Sequence, residues 1–170
     1  MIYRLTAAVI MVLSLSAFQV VDGVVPKPDQ PSGERQAQNK LPQSKSPLWT
    51  KLAQCRVSLD SRQGTYSITV TDEVKSLAGQ TINANGFILP MDGNEKTKHF
   101  LLAKRTPVCM FCPPGEPNEV IEVKSKTPME WVDDAITVRG RFSLVNDGEK
   151  GIFFLIDGAE LLQGKDGSVP

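Results

Sequence analysis

The stretch that decides the fold is Ile136-Thr137-Val138-Arg139-Gly140-Arg141-Phe142-Ser143-Leu144, near the C-terminal end of the chain. Apolar and polar side chains alternate along it, which is the period-2 pattern of a β-strand with one buried face. Gly140 takes an apolar position in the middle. A mid-strand glycine is typical of a strand that coils sharply at a barrel corner. Trp131, which precedes the stretch, is expected to plug the core, with a protein interface as the alternative.

Similar short strands are expected on the N-terminal and C-terminal sides of this stretch. Turn signals such as Asp92-Gly93-Asn94 and Asn146-Asp147-Gly148 separate them. The expected strands cover residues 66–70, 81–89, 99–103, 120–123, 136–144 and 151–156. Residues 48–53 have the apolar spacing of one short amphipathic helix. The sequence therefore predicts a mainly β protein, a small OB-like barrel of five to six strands with one short N-terminal helix. A β-sandwich is the alternative.

The N-terminal residues have the pattern of an exported protein. A short positive segment, Met1 to Arg4, precedes an apolar run that starts at Leu5 and continues, with polar interruptions, to Val21. This length and this flank are typical of a secretory signal peptide rather than of a transmembrane helix. No cysteine follows the run, which argues against a lipid anchor. We therefore expect a cleaved signal peptide and a periplasmic mature protein.

A spacer is expected between the signal peptide and the folded domain. Residues 24–47 contain five prolines among Gln, Ser, Lys and Asp. Such a composition cannot bury enough apolar surface to offset the entropy lost on ordering. The expected organisation is a signal peptide at 1–23, a disordered Pro-rich spacer at 24–47, an OB-like β domain at 48–163 and a flexible tail at 164–170.

The charge balance argues against one class of partner. The 19 basic and 19 acidic residues cancel, whereas proteins that bind nucleic acid through phosphate contacts usually have a basic excess. Arg139 and Arg141 share the polar face of one strand, and Phe153 could stack a base. The export signal and the balanced charge favour a solvated strand face instead. We expect no nucleic-acid partner.

Few residues support an enzyme. The chain has one histidine, His99, and histidine is the commonest acid–base group near neutral pH. Cys109 with His99 would make a nucleophile and a base, but no signature surrounds the pair. No glycine-rich phosphate loop is present. We therefore expect a non-catalytic protein.

The unusual chemistry lies in the Cys–Pro segment, which we define as Pro107 to Asn118, with the sequence Pro-Val-Cys-Met-Phe-Cys-Pro-Pro-Gly-Glu-Pro-Asn. Its prolines and glycine predict a rigid loop. Its two cysteines, Cys109 and Cys112, have the spacing that forms a disulfide bond or binds one metal ion. The expected contact residues of this loop are Met110, Phe111, Pro113, Pro114, Pro117 and Asn118.

Four interpretations of the cysteines stay open. One is a disulfide bond between Cys109 and Cys112, with Cys55 as a buried thiol or as an alternative disulfide partner. The second is a zinc site, in which Cys109, Cys112, Cys55 and His99 complete a tetrahedral set. The third is a redox-active dithiol, although the usual βαβ context is missing. The fourth is three inert thiols.

A family resemblance appears at the same segment. The run Cys109-x-x-x-Pro113-Pro-x-x-Pro117-Asn118, with the strand at His99 and Trp49 in the first helix, resembles an uncharacterised family of exported bacterial proteins, described as a domain of unknown function. The resemblance covers residues 49–162. It implies an OB-like fold and a periplasmic location. It also implies an accessory role beside ABC-type export systems, some of them responsive to zinc limitation.

The chain departs from the family at one position. A histidine often lies two residues after the family's cysteine, where this chain has Phe111 followed by Cys112. Cys112 is therefore the expected substitute ligand. The function hypothesis is a non-catalytic periplasmic binding or accessory protein that serves an envelope ABC-type transport system or a periplasmic binding protein. The alternative is a periplasmic thiol–disulfide protein in which Cys109 and Cys112 cycle.

Overall fold

The computed structural model describes residue 36 and residues 40–92, 94–107 and 115–163. The elements follow one another as α1 (Pro47–Leu52), β1 (Arg56–Asp60), β2 (Thr65–Thr69), α2 (Asp72–Lys75), β3 (Thr81–Pro90), β4 (Lys96–Ala103), a 3₁₀ helix (Pro117–Glu119), β5 (Val120–Glu130), β6 (Ile136–Asp147) and β7 (Ile152–Gln163). The expected mainly β architecture, with one short helix near the N-terminus, is confirmed.

Five of the strands close into a barrel with the order β3-β4-β5-β7-β6, and β6 pairs back onto β3. All neighbouring pairs are antiparallel except β5 and β7, which are parallel. A closed five-stranded barrel with this strand order is the Greek-key barrel of the OB-fold. The expected barrel is therefore correct and the sandwich alternative is not, because barrel closure leaves the five strands in a single sheet.

The core follows from the alternation along β6. Val138 and Phe142 are fully buried, and the ring of Phe142 stacks on that of Phe154 with centroids 5.9 Å apart. Between them, a Cβ at Gly140 would lie 2.5 Å from Cγ2 of Ile156 and 2.9 Å from the carbonyl oxygen of Asp157. Since real Cβ atoms do not approach so closely, β7 can cross β6 here only over a glycine.

Helix α1 begins at Pro47, a residue suited to the first helical position because its φ is already helical. It buries Trp49 and Leu52 in the core, and the indole Nε1 of Trp49 donates to the carbonyl oxygen of Asn85 on β3 over 2.7 Å. The chain is anchored before the helix as well. Thr106 donates its hydroxyl to the carbonyl of Pro42 and Ser44 donates to that of Asn85. These contacts involve Pro42 and Ser44, which precede residue 48, where the OB-like domain is expected to begin.

Several elements differ from the sequence expectations. Strand β1 and helix α2 were not expected, since β1 has only two half-buried apolar residues. Strand β5 continues to Glu130, although most of residues 124–130 are polar. Pairing of Lys96 and Thr97 of β4 with Glu130 and Met129 of β5, together with burial of Met129, outweighs the weak local pattern. The core position expected for Trp131 is wrong. The residue is 49% exposed because it lies in the connection after β5, outside the strand alternation.

None of the helices in the described ranges has the length and apolar character needed to cross a bilayer.

Candidate functional site

The described residues include both ends of the Cys–Pro segment but not its centre. The segment enters at Pro107 after β4 and returns at Gly115 before the 3₁₀ helix. The expected site residues that lie outside the described residues are Cys109, Met110, Phe111, Cys112, Pro113 and Pro114. The expectations for a disulfide bond or a metal ion at Cys109 and Cys112 therefore stay predictions.

A group of charged side chains joins the two ends of the segment. Glu119, the last residue of the 3₁₀ helix, accepts hydrogen bonds from Nη2 of Arg105 over 3.0 Å and from Nζ of Lys104 over 3.2 Å. Nε of Arg105 donates to the other carboxylate oxygen over 3.2 Å. The backbone N–H of Lys104 also donates to the carbonyl of Glu119. We call Lys104, Arg105 and Glu119 the base clamp.

The base clamp is largely removed from solvent, since the Glu119 side chain is 10% exposed. Burial raises the pKa of the Glu119 carboxyl, but the hydrogen bonds and positive charges of Arg105 and Lys104 more than offset this, so its pKa lies below the usual range. The carboxylate is therefore ionised at neutral pH. Lys104 and Arg105 then both pair with the same anion, which holds the two ends of the Cys–Pro segment in a fixed geometry.

A capping box adds to the clamp from the C-terminal end of the segment. The side chain of Glu116 accepts from the backbone of Glu119, and the backbone N–H of Glu116 donates to the Glu119 carboxylate. Pro117 occupies the first helical turn. This reciprocal pairing sets where the segment ends and the 3₁₀ helix begins.

A second hydrogen bond connects the segment to the turn between α1 and β1. The side-chain amide of Asn118 donates to the backbone carbonyl of Cys55 over 3.0 Å. Cys55 is a buried free cysteine that belongs to the core cluster. The structure thus brings Asn118 and Cys55 together through an amide and a carbonyl, while Cys55 itself packs among apolar residues.

His99 lies in a different environment from Cys55. Its Nε2 is 2.5 Å from Oε1 of Glu122 on the adjacent strand β5, and Nζ of Lys124 is 3.9 Å from the same oxygen. The His99 side chain is 43% exposed. In the described part of the chain, no three His, Cys, Asp or Glu side chains gather in a metal-binding group. The four-residue zinc set depends on Cys109 and Cys112 and stays a prediction.

Sequence reasoning missed the base clamp. The signal that could have revealed the capping box is the run Glu116-Pro-Asn-Glu119. In it, the glutamate at the third helical position follows a capping residue and a proline. The ion pairs themselves leave no local signal, because Arg105 and Glu119 meet only when β4 and β5 pair.

The fold and the segment together define the class of protein, which is an OB-type barrel with a Cys-x-x-Cys sequence in the proline-rich connection between β4 and β5. The base clamp joins the two ends of this connection. The chain belongs to the DUF3299 family, proteins of unknown function, whose profile matches residues 22–151. The resemblance to a domain of unknown function is thereby confirmed.

A solved structure is also similar to this chain. It is a DUF3299 family protein from Pseudomonas aeruginosa, 20% identical in sequence, with a TM-score of 0.46. The similarity covers 73% of this chain and 85% of that one. No curated protein matches the chain.

Proposed function

We propose that this protein is a non-catalytic accessory protein of the bacterial envelope, which binds its ligand or partner through the Cys–Pro segment. The observation that carries the proposal is the base clamp, because a mostly buried carboxylate joins Lys104 and Arg105 on one side of the segment to Glu119 on the other. The export pattern of the N-terminal residues supports a periplasmic location.

The energetics of the clamp favour a positioning role. Desolvating three charges is costly, and an ion-paired group is often no more stabilising than apolar residues of similar volume. Such a group does impose one geometry on the backbone that it joins. Binding residues are frequently carried by loops that a rigid scaffold positions, and the barrel with its clamp is such a scaffold.

The ligand that we propose is zinc, bound by Cys109 and Cys112. His99 is the better of the two expected additional ligands, because it is partly exposed whereas Cys55 is buried. A carboxylate beside one ring nitrogen is the usual partner of a metal-bound histidine. With Nε2 of His99 facing Glu122, Nδ1 is the nitrogen left for the metal. The proposed partner is an envelope ABC-type transport system or a periplasmic binding protein.

Intact mass of the full-length protein, native and denatured, tests the zinc part of the proposal. We expect one zinc equivalent in the native spectrum and three thiols that react with an alkylating reagent after denaturation. Cys109→Ser should lose the metal and His99→Gln should weaken its binding. The control is Glu130→Gln, a substitution at an exposed position of β5, and this variant should still bind one zinc equivalent.

Two thiols that resist alkylation until reduction, with no bound metal, would contradict the zinc proposal and favour the thiol–disulfide alternative. The reduction potential of the Cys109–Cys112 pair would then separate a cycling pair from a structural bridge, since structural disulfides have strongly reducing potentials.

A further inference from the structure

A cleft of about 320 Å³ lies on the outer face of the barrel where β5, β6 and β7 meet. Gly140 and Gly158 form part of its lining, and five charged side chains of the three strands surround them: Lys126, Arg139, Arg141, Asp157 and Glu160. None of these residues belongs to the Cys–Pro segment or to the base clamp. The cleft is therefore a feature independent of the proposed zinc site.

A bulge in β7 shapes this cleft. Arg141 pairs with Asp157 and Arg139 pairs with Glu160, so that Gly158 and Ala159 together lie opposite Gly140 alone. Gly158 has a φ of +61°, a backbone conformation that favours glycine. Bulges of this kind increase the local twist, redirect neighbouring side chains and often lie next to binding sites. A Cβ at Gly158 would lie 3.7 Å from Cε of Lys126, so a side chain here would occupy the cleft.

The charges in the cleft are unequally paired. Lys126 and Glu160 form an ion pair with 2.7 Å between Nζ and Oε1. Arg139 and Arg141 are both exposed, and neither guanidinium forms a hydrogen bond or an ion pair with any residue that the structure describes. The hydrogen bond from Lys126 and, less strongly, the positive charge of Arg139 lower the pKa of the Glu160 carboxyl. Three cations of the cleft therefore face two carboxylates, Asp157 and Glu160. The cleft thus has one net positive charge and two guanidinium groups that form no hydrogen bond or ion pair with the described residues.

We propose that this cleft binds the oxyanion of a small, singly charged ligand, a carboxylate or a phosphodiester, through Arg139 and Arg141. The planar guanidinium fork matches the oxygens of both groups. Asp157 and Glu160 repel further negative charge, which selects a monoanion and disfavours a polyanion such as a nucleic acid.

Titration of the full-length protein with acetate and with dimethyl phosphate tests this proposal. Backbone amide resonances of residues 139–141 and 157–160 should shift in a saturable manner, and the probe that binds more tightly identifies the preferred oxyanion. Arg139→Gln combined with Arg141→Gln should weaken binding by at least about tenfold, because two charge-assisted hydrogen bonds are lost. Arg56→Gln combined with Arg62→Gln removes the same charge from the exposed β1–β2 hairpin and should leave the affinity within about twofold.

A second variant gives an effect that misfolding cannot mimic. Asp157→Asn removes the repelling carboxylate and should tighten binding of the same probes by about threefold. Any one of three results overturns the proposal. They are no saturable shift with either probe, an equal loss of affinity in the two double arginine variants, and weaker binding by the Asp157→Asn protein.

Discussion

The side-chain amide of Asn118 donates a hydrogen bond to the backbone carbonyl of Cys55 over 3.0 Å, although 63 positions separate the two residues. Asn118 ends the Cys–Pro segment, and Cys55 directly precedes β1. The bond satisfies the carbonyl of a residue that is almost fully buried. It therefore couples the position of the segment to the packing of α1 and the hairpin.

Replacing Asn118 with alanine should lower the free energy of unfolding by about 1–2 kcal/mol, because a buried carbonyl loses its partner. Urea denaturation measures the change. Asn146→Ala, on the exposed side of β6, serves as the control and should change the stability by less than about 0.5 kcal/mol. Equal effects of the two substitutions would show that the hydrogen bond to Cys55 does not contribute to the free energy of unfolding beyond what any exposed side chain does.

Replacing Glu119 with glutamine should cost about 2–3 kcal/mol in unfolding free energy, since Lys104 and Arg105 then face each other without the anion that pairs both. The matched control is Glu130→Gln, which removes an exposed ion pair with Lys96 and should cost less than about 0.5 kcal/mol. Denaturant unfolding of both variants checks the prediction. A Glu119→Gln protein as stable as the control would contradict the role given to the clamp.

The pH dependence of stability should carry the signature of Glu119. Its pKa in the folded protein is lowered, so ionisation of Glu119 favours the folded state. This contribution is complete above the ordinary glutamate pKa of about 4.3 and disappears as the pH falls through the lower pKa of the folded state. The charged groups that face Glu119 are Lys104 and Arg105, which pair with its carboxylate, and Glu116 across the capping box.

We therefore expect the free energy of unfolding to fall between about pH 5 and about pH 3, and to fall less steeply in the Glu119→Gln protein. Thermal unfolding at a series of pH values gives the comparison. Identical pH profiles of the parent and the variant would be incompatible with a lowered pKa at Glu119.

The two tryptophans of the chain should report different environments. Trp49 is 2% exposed and hydrogen-bonded to Asn85, whereas Trp131 is 49% exposed. Trp131→Phe should leave fluorescence that acrylamide quenches poorly, and Trp49→Phe should leave readily quenched fluorescence. Trp49→Phe should also cost about 1–3 kcal/mol in stability through the lost hydrogen bond and packing. Comparable quenching in the two variants would mean that Trp131 is covered in solution.

The alternation along residues 136–142 was enough to predict which side chains of β6 face the core, but Leu144, which continues the apolar face, is 36% exposed. Val138 and Phe142 are buried, and Arg139 and Arg141 are exposed, as the period-2 pattern indicates. The helix at residues 48–53 followed in the same way from apolar spacing. The second half of β5 did not, because residues 124–130 are mostly polar and include a proline.

The sequence by itself determined the mainly β barrel, the short helix that starts at Pro47, and the position of the Cys-x-x-Cys pair in a proline-rich connection. These features depend on residues that are neighbours along the chain, where side-chain periodicity and turn chemistry act directly. Only the tertiary structure decided that Glu119 joins Lys104 and Arg105, and that Arg139 and Arg141 border a cleft at the Gly158 bulge. Both arrangements arise when the barrel closes, because strand pairing and the bulge in β7 bring together side chains whose spacing along the chain carries no signal of contact.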